Sequence, residues 1–154
     1  MDIIEIKYTE AVQGIKEEWL VNTNNNWYEY VIKLPIKTQI VYLVIVLHNQ
    51  VFNGGFHQYF VNGYGQFAKE TINALIKIGA IKKANLLQLA FAKVNINNNA
   101  PEIFRSQLIK EEIKPLFEGD DLYEPLDKLD SEYYLQEDED IVQLLNRYLL
   151  EKNS

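Results

Sequence analysis

Apolar residues recur at intervals of three and four along most of this chain, and short stretches with Gly, Pro or Asn separate the periodic segments. Such spacing is typical of amphipathic helices, whose side chains return to one face every 3.6 residues. The 154-residue length suits one domain with a full apolar core. We therefore predict an all-α fold, a compact multi-helix single domain of about 7–9 helices over residues 1–154.

The longest apolar run, Ile40 to Leu47, lies inside a predicted helix from Ile36 to Phe52. Its β-branched residues also permit a strand, while the length of the segment favours a helix. Eight residues cannot cross a bilayer, which requires about 20 in a helix, so we expect a buried core segment and no membrane contact. Asn53-Gly54-Gly55 then breaks the helix, and Phe56 to Asn62 add one or two helical turns.

Breaker and cap residues predict where several other helices begin and end. Thr9 is a candidate N-cap, Asn22 to Asn26 form a loop, Gly79 suits a left-handed helix end, and Pro101 suits a first helical turn. Pro115 stops or bends the helix that starts at Pro101. With the central segment, the longer predicted helices span about residues 9–21, 36–52, 66–78, 81–94, 101–114 and 139–150.

The negative charge of the chain is concentrated in one segment. Residues 118–140 contain 11 acidic residues and one basic residue, Lys128, whereas the whole chain has a net charge of −7. A block of this sign repels phosphate backbones, so we expect no direct binding to nucleic acid. It attracts a basic partner protein. A solvated face that only keeps the protein soluble remains the alternative.

This acidic segment also carries a helical pattern. Leu122, Leu126, Leu129 and Tyr133 form an apolar stripe. Asp121 with Glu124 resembles a capping box, and Pro125 suits a first turn. We therefore predict that a folded scaffold presents the carboxylates as one partner-binding acidic surface, which comprises Glu118, Asp120, Asp121, Glu124, Asp127, Asp130, Glu137, Asp138, Glu139 and Asp140.

Residues for common catalytic and metal chemistry are scarce. The chain has no cysteine, and its two histidines, His48 and His57, are nine residues apart, unlike the i, i+4 pair of a helical metal site. No P-loop or nucleophile-elbow motif occurs. We predict no enzyme activity, no cofactor and no metal site. A deep pocket that holds His57 beside a buried carboxylate would instead favour an enzyme or a small-ligand protein.

Three segments carry a family resemblance. Leu47 to Asn62 reads LHNQVFNGGFHQYFVN, with the core N-G-G-F-x-Q-[YF]-F-x-N; Ala74 to Ala80 reads ALIKIGA; and Leu126 to Tyr134 reads LDKLDSEYY. Over about residues 36–150 the chain resembles a bacterial DNA-mimic protein family, an NGGF-motif domain typified by a neisserial DNA mimic. The motif residues are Asn53, Gly54, Gly55, Phe56, Gln58, Phe60 and Asn62, for which a structural role at a helix junction is favoured over a binding role.

The resemblance implies an all-α, non-catalytic acidic protein that can form a homodimer. The first functional hypothesis is a transcription regulator whose acidic helical surface mimics DNA phosphates and binds a basic, DNA-binding protein. The second is an immunity or antitoxin-like inhibitor that plugs the basic cleft of a toxin or nuclease. The N-terminus lacks a secretory signal, so a cytoplasmic location is expected.

Overall fold

The computed structural model describes residues 2–21 and 23–151, and every regular element within them is helical, which confirms the all-α prediction. Met1, Asn22 and residues 152–154, including the first residue of the predicted Asn22–Asn26 loop, lie outside the described residues. Short 3-10 helices span Glu17–Leu20 and Tyr64–Phe67. The α-helices are α1 (Ile3–Gln13), α2 (Asn26–Ile32), α3 (Ile36–Val61), α4 (Ala68–Ile78), α5 (Ile81–Val94), α6 (Pro101–Ile109), α7 (Lys114–Phe117), α8 (Tyr123–Leu135) and α9 (Ile141–Leu150).

Helix α3 forms the centre of the fold. Of the run from Ile40 to Leu47, all residues except Ile45 are buried, and Ile45 packs against the core with part of its surface exposed. A helix that is apolar on all sides needs neighbours on all sides, and α3 contacts α1, α4, α7, α8 and α9. The helical alternative for this run is therefore correct. Within the described residues, no helix combines the length and apolarity needed to cross a bilayer.

Two groups of buried side chains fill the interior. The larger group joins α3 with α4, α5, α8 and α9, and the smaller one joins α1 and α2 with the first half of α3 and Phe67. Tyr8 and Tyr64 pack against both groups, so the two are adjacent. The apolar stripe of α8 faces the larger group, with Leu126, Leu129 and Tyr133 buried. The acidic segment is therefore held on a packed helix, as its periodicity predicts.

Several predicted boundaries agree with the structure. Gly79 ends α4 in a left-handed conformation with a φ of 92°, and its N–H bonds back into the last turn. Helix α5 spans the predicted residues 81–94, and Pro101 lies in the first turn of α6. The break near Asn53-Gly54-Gly55 is confined to Gly55, whose φ of 81° and ψ of −177° interrupt α3.

Several predicted boundaries are wrong. The first helix, predicted over about residues 9–21, begins at Ile3 and ends at Gln13; Asp2 and Glu5 form its capping box, and Thr9 lies inside it. Helix α6 ends at Ile109, and Pro115 lies in the first turn of the separate helix α7. The Asp121–Glu124 capping box does not form, because the N-cap of α8 is Leu122 and makes no side-chain cap bond.

Candidate functional site

The fold divides the acidic segment between two places. Its first half lies in the α7–α8 connection and along α8, and its second half lies in the α8–α9 connection. Nine of its eleven acidic residues are exposed, and Asp130 and Glu139 are buried. The predicted surface is therefore not a single array of ten side chains.

The first group surrounds two neighbouring depressions. Asp120, Asp121, Glu124 and Glu132 line a depression of about 840 Å³. Glu124 also lines a second depression of about 430 Å³ with Asp127. We call these five exposed residues, Asp120, Asp121, Glu124, Asp127 and Glu132, the acidic face. Because Glu124 belongs to both depressions, the five carboxylates form one continuous electronegative region.

Two lysines reduce the charge of the acidic face without cancelling it. Lys93 and Lys128 line the larger depression. The Lys128 Nζ lies 3.6 Å from Glu124 Oε1, and the two side chains keep 74% and 82% of their surface exposed. An ion pair this exposed contributes less than about 1 kcal/mol and weakens with salt. The Glu124 carboxylate therefore remains accessible to a partner.

The second group is largely engaged with helix ends and lysines. Asp138 Oδ2 lies 2.9 Å from Lys82 Nζ, and this hydrogen bond raises the pKa of Lys82 and lowers that of Asp138. Asp140 is the N-cap of α9 and accepts a hydrogen bond from Gln143 N at 3.0 Å. Glu137 lies in the same connection and is exposed. Glu118 is also exposed, but it lies in the α7–α8 connection and lines neither depression.

Glu139 does not belong to a partner-binding surface. Its side chain is buried, and its two carboxylate oxygens accept hydrogen bonds from Lys82 N at 2.7 Å and Lys83 N at 2.8 Å. It therefore caps the N-terminus of α5, whose first amides have no partner within the helix. The Lys83 Nζ donates to the carbonyls of Gln136 and Glu139, and burial lowers the pKa of Lys83 despite the nearby carboxylates.

Asp130 is likewise buried, in contrast to its predicted place on the surface. Its Oδ1 accepts a hydrogen bond of 2.8 Å from Phe56 N, directly after the break at Gly55. The carboxylate thus caps the last turns of α3 from a residue 74 positions away. Burial raises the pKa of Asp130, and the Phe56 hydrogen bond opposes this shift.

The NGGF motif joins α3 to α8. A Cβ atom on Gly55 would lie 2.1 Å from Asp130 Oδ2, so only glycine permits this approach. Asn53 and Gln58 hydrogen-bond to each other, and Gln58 and Asn62 both donate to Gln50 Oε1 at 3.0 Å. Phe56 and Phe60 are fully buried, and Gly54 is exposed beside Gln58. The close approach of Gly55 to Asp130, the hydrogen bond of Phe56 N to that residue and the burial of both phenylalanines support the structural interpretation of the motif.

Both histidines contact other parts of the chain. The Nδ1 atom of His48 lies 2.9 Å from Tyr133 Oη, and Nε2 of His57 lies 3.1 Å from Leu116 O. His57 and Asp130 line the smaller depression together, as the enzyme hypothesis requires of an active site. Its other lining residues include no serine, threonine, cysteine or lysine. Within the described residues, no group of His, Asp and Glu has the arrangement of a metal site.

Three residues of this region were not predicted as site residues from the sequence. Tyr123 lines both depressions, 52% of its surface is exposed, and its ring centroid lies 4.4 Å from that of His57. Glu132 and Lys93 line the larger depression. The sequence does indicate that Tyr123 is exposed. It directly follows Leu122 of the apolar stripe, and adjacent residues of a helix point in different directions, so its side chain lies off the buried side of α8. The contribution of Lys93 depends on the packing of α5 against α8, which the sequence pattern does not reveal.

Comparison with known proteins gives one match. No curated protein and no solved structure matches the chain. A protein-family model described as DMP19-like protein matches residues 32–153, somewhat beyond the predicted family region at both ends. The match contains the acidic segment, α8 and the Gly55 junction. Because it covers more than half of the sequence, the chain belongs to the DMP19-like protein family.

Proposed function

We propose that this protein is a non-catalytic regulator that binds a DNA-binding protein by presenting the acidic face in place of DNA phosphates. The observation that carries this proposal is the clustering of five exposed carboxylates around two adjoining depressions, with only Lys93 and Lys128 as cations. Membership of the DMP19-like family supports the same function.

The spacing of the carboxylates in the acidic face resembles that of DNA phosphates, but it is wider. Glu124 and Asp127 are three residues apart on α8, a spacing that sets Cβ atoms about 5–6 Å apart on one side of a helix. Duplex DNA presents one charge per about 1.7 Å of axis, counting both strands. The acidic face therefore imitates a phosphate track at lower charge density. Phosphate-binding lysines and arginines of a DNA-binding protein can engage it.

The partner class follows from the sign of the charge. A basic, DNA-binding protein complements the acidic face, whereas nucleic acid is repelled by it. Homodimer formation, a cytoplasmic location and a role in transcription regulation remain predictions that accompany this proposal.

The test is an affinity pull-down from native lysate at low salt, with captured proteins identified by mass spectrometry. The bait variant D120N/D121N/E124Q/D127N neutralises four carboxylates of the acidic face. The control E17Q/E29Q/E112Q/E137Q removes the same charge from exposed residues elsewhere. We expect wild type and control to retain a DNA-binding protein that added salt releases and duplex DNA displaces. Recovery of that protein by the neutralised bait would contradict the proposal.

The immunity or antitoxin-like alternative is supported by exposed aromatic residues close to the acidic face. Phe52 and Tyr134 keep 56% and 41% of their surface exposed, and their ring centroids are 4.9 Å apart. Aromatic anchors of this kind provide much of the affinity of tight inhibitors. Capture of a nuclease or toxin that duplex DNA does not displace, together with a toxin gene beside this gene, favours this alternative.

We propose no reaction for the depression that holds His57 and Asp130. Nε2 of His57 is engaged with Leu116 O, and Oδ1 of Asp130 is engaged with Phe56 N. The hydroxyl, thiol and amine groups that serve as common nucleophiles are missing from its lining residues, apart from the Tyr123 phenol. The carboxylates that line this depression are therefore better explained by the binding of a charged group than by catalysis.

A further inference from the structure

A groove of about 350 Å³ lies between α3 and α4 and shares no lining residue with the two depressions of the acidic face. Four polar side chains line it, Gln39 from α3 and Glu70, Asn73 and Lys77 from α4. We call it the α3–α4 groove. We propose that the α3–α4 groove binds a small zwitterion whose ammonium group contacts Glu70 and whose carboxylate contacts Lys77, with a methylene chain between the two charges.

Glu70 is the residue that indicates a cationic group in the ligand. Its Oε2 accepts a hydrogen bond of 2.9 Å from Tyr28 Oη. Burial and the hydrogen bond to Glu70 raise the pKa of Tyr28 to about 12, so this phenol keeps its proton and remains a donor at neutral pH. Oε1 of the same carboxylate is buried and has no hydrogen-bond partner in the described part of the chain. A buried carboxylate oxygen without a donor is costly, and an ammonium group held in the groove would supply the missing donor.

Lys77 provides the opposite charge at the other end of the groove. It follows Glu70 by seven residues, which places it two turns further along the same side of α4, about 10 Å along the helix axis. Lys77 is exposed and makes no ion pair or hydrogen bond with any described residue. The two charges therefore do not neutralise each other, and they are too far apart for the ammonium and carboxylate groups of an α-amino acid, which one carbon separates.

The rest of the groove suits a methylene chain with few polar contacts. Ile40 and Ala74 are buried, and 52% of the Ile36 surface is exposed. Asn73 lies between the two charges in sequence, and Gln39 donates to Val31 O at 3.1 Å, which leaves its own side-chain oxygen as an acceptor. A few polar groups on an apolar wall are typical of small-molecule sites. The ligand class is therefore an amino acid with its amino group at the far end of the carbon chain.

The test is a titration of isotope-labelled protein with ε-aminocaproic acid at low salt, followed by NMR spectroscopy. We expect the side-chain amide signals of Gln39 and Asn73 to shift in a saturable manner. Caproic acid and hexylamine each lack one of the two charges, and glycine keeps both charges without the methylene chain. We expect all three to bind at least about fivefold more weakly, as the loss of one charged hydrogen bond or of several methylene contacts predicts.

Two variants with matched controls assign the two charges. E70Q keeps an oxygen that can accept from Tyr28 Oη, and we expect it to weaken the binding of ε-aminocaproic acid about tenfold. We expect K77Q to weaken binding about threefold, because an exposed charge contributes less. E29Q and K69Q remove exposed charges outside the groove, and the affinity of these controls should stay within about twofold of wild type.

Three results would overturn this inference. They are side-chain signals of Gln39 and Asn73 that do not shift, equal affinities for ε-aminocaproic acid and either singly charged analogue, and an affinity that E70Q and K77Q leave unchanged. If circular dichroism shows that E70Q does not fold, the analogues and K77Q still decide. Because the α3–α4 groove shares no lining residue with the acidic face, a negative result here leaves the proposed function unaffected.

Discussion

Gly55 and Asp130 depend on each other at the point where α3 meets α8. With a φ of 81° and a ψ of −177°, Gly55 occupies a backbone region that is almost exclusive to glycine. A Cβ atom there would also meet the Asp130 carboxylate at 2.1 Å. We expect G55A to lower the free energy of unfolding by about 2–4 kcal/mol, the sum of backbone strain and a displaced carboxylate.

Gly119 provides the control for this substitution. Its φ is 79°, but nothing lies within 4 Å of the position of its Cβ. G119A should therefore show only the backbone cost, about 1–2 kcal/mol. Urea denaturation followed by circular dichroism measures both variants. Equal losses in G55A and G119A would show that the contact with Asp130 adds no constraint.

The raised pKa of Asp130 makes its contribution to stability depend on pH. Because its folded pKa lies above the ordinary value of 3.8, the native state holds its proton more tightly than the unfolded chain. Its contribution to stability is therefore greatest below that ordinary value and falls as pH rises toward the folded pKa. We expect D130N to gain stability relative to wild type as pH rises through this window, measured by urea denaturation at several pH values.

D130A separates the hydrogen bond from the charge. It leaves Phe56 N without its acceptor, and an unpaired buried amide costs about 1–3 kcal/mol. We expect D130A to be less stable than D130N by an amount in that range at neutral pH. Equal stability of D130A and D130N would mean that the Phe56 hydrogen bond does not contribute to folding.

At the level of elements, the sequence predicts the features that follow from local periodicity, namely the buried side of a helix and the residue at which it ends. The stripe of Leu126, Leu129 and Tyr133 identifies the buried side of α8, and Gly79 identifies the end of α4. Caps that come from distant residues are not predictable in this way. Asp130 and Glu139 have the composition of a surface block, yet they cap helices 74 and 56–57 residues away. A local pattern contains no information about such pairings.

The cap on α5 leads to a prediction for that helix. E139A removes the acceptor of Lys82 N and Lys83 N, and we expect it to lower the free energy of unfolding by about 1–2 kcal/mol. E137A is the control, because Glu137 is exposed in the same connection, and its effect should stay within about 0.5 kcal/mol. Urea denaturation measures both. A loss in E139A no larger than in E137A would contradict the assigned cap.

At the level of the whole molecule, the acidic segment combines two uses of carboxylates that composition cannot separate. The charge count correctly indicates an electronegative region, and the five residues of the acidic face provide it. The same count includes Asp130, Glu139 and Asp140, whose contacts are with backbone amides. The candidate site was therefore predictable as a region, while the pocket beside Tyr123 and His57 required the packing of α8 on α3.

Repulsion among the clustered carboxylates of the acidic face should lower the free energy of unfolding. Added salt screens this repulsion, so it should raise that free energy. The acidic face holds five carboxylates against two lysines, and about 0.5 M NaCl shortens the Debye length to less than about 5 Å, which screens their repulsion. We expect this salt to raise the free energy of unfolding of wild type by about 0.5–1 kcal/mol. D120N/D121N/E124Q/D127N should lose most of this gain, whereas E17Q/E29Q/E112Q/E137Q, with the same net charge, should keep it. Equal gains in the two variants would show that net charge, rather than the clustering of the acidic face, governs the repulsion. The first variant is expected to be more stable than wild type at low salt and to lose its partner; both results together would show that the clustered carboxylates serve binding at the expense of stability. A need for solubility does not explain such a result, because the control variant has the same net charge as the first variant.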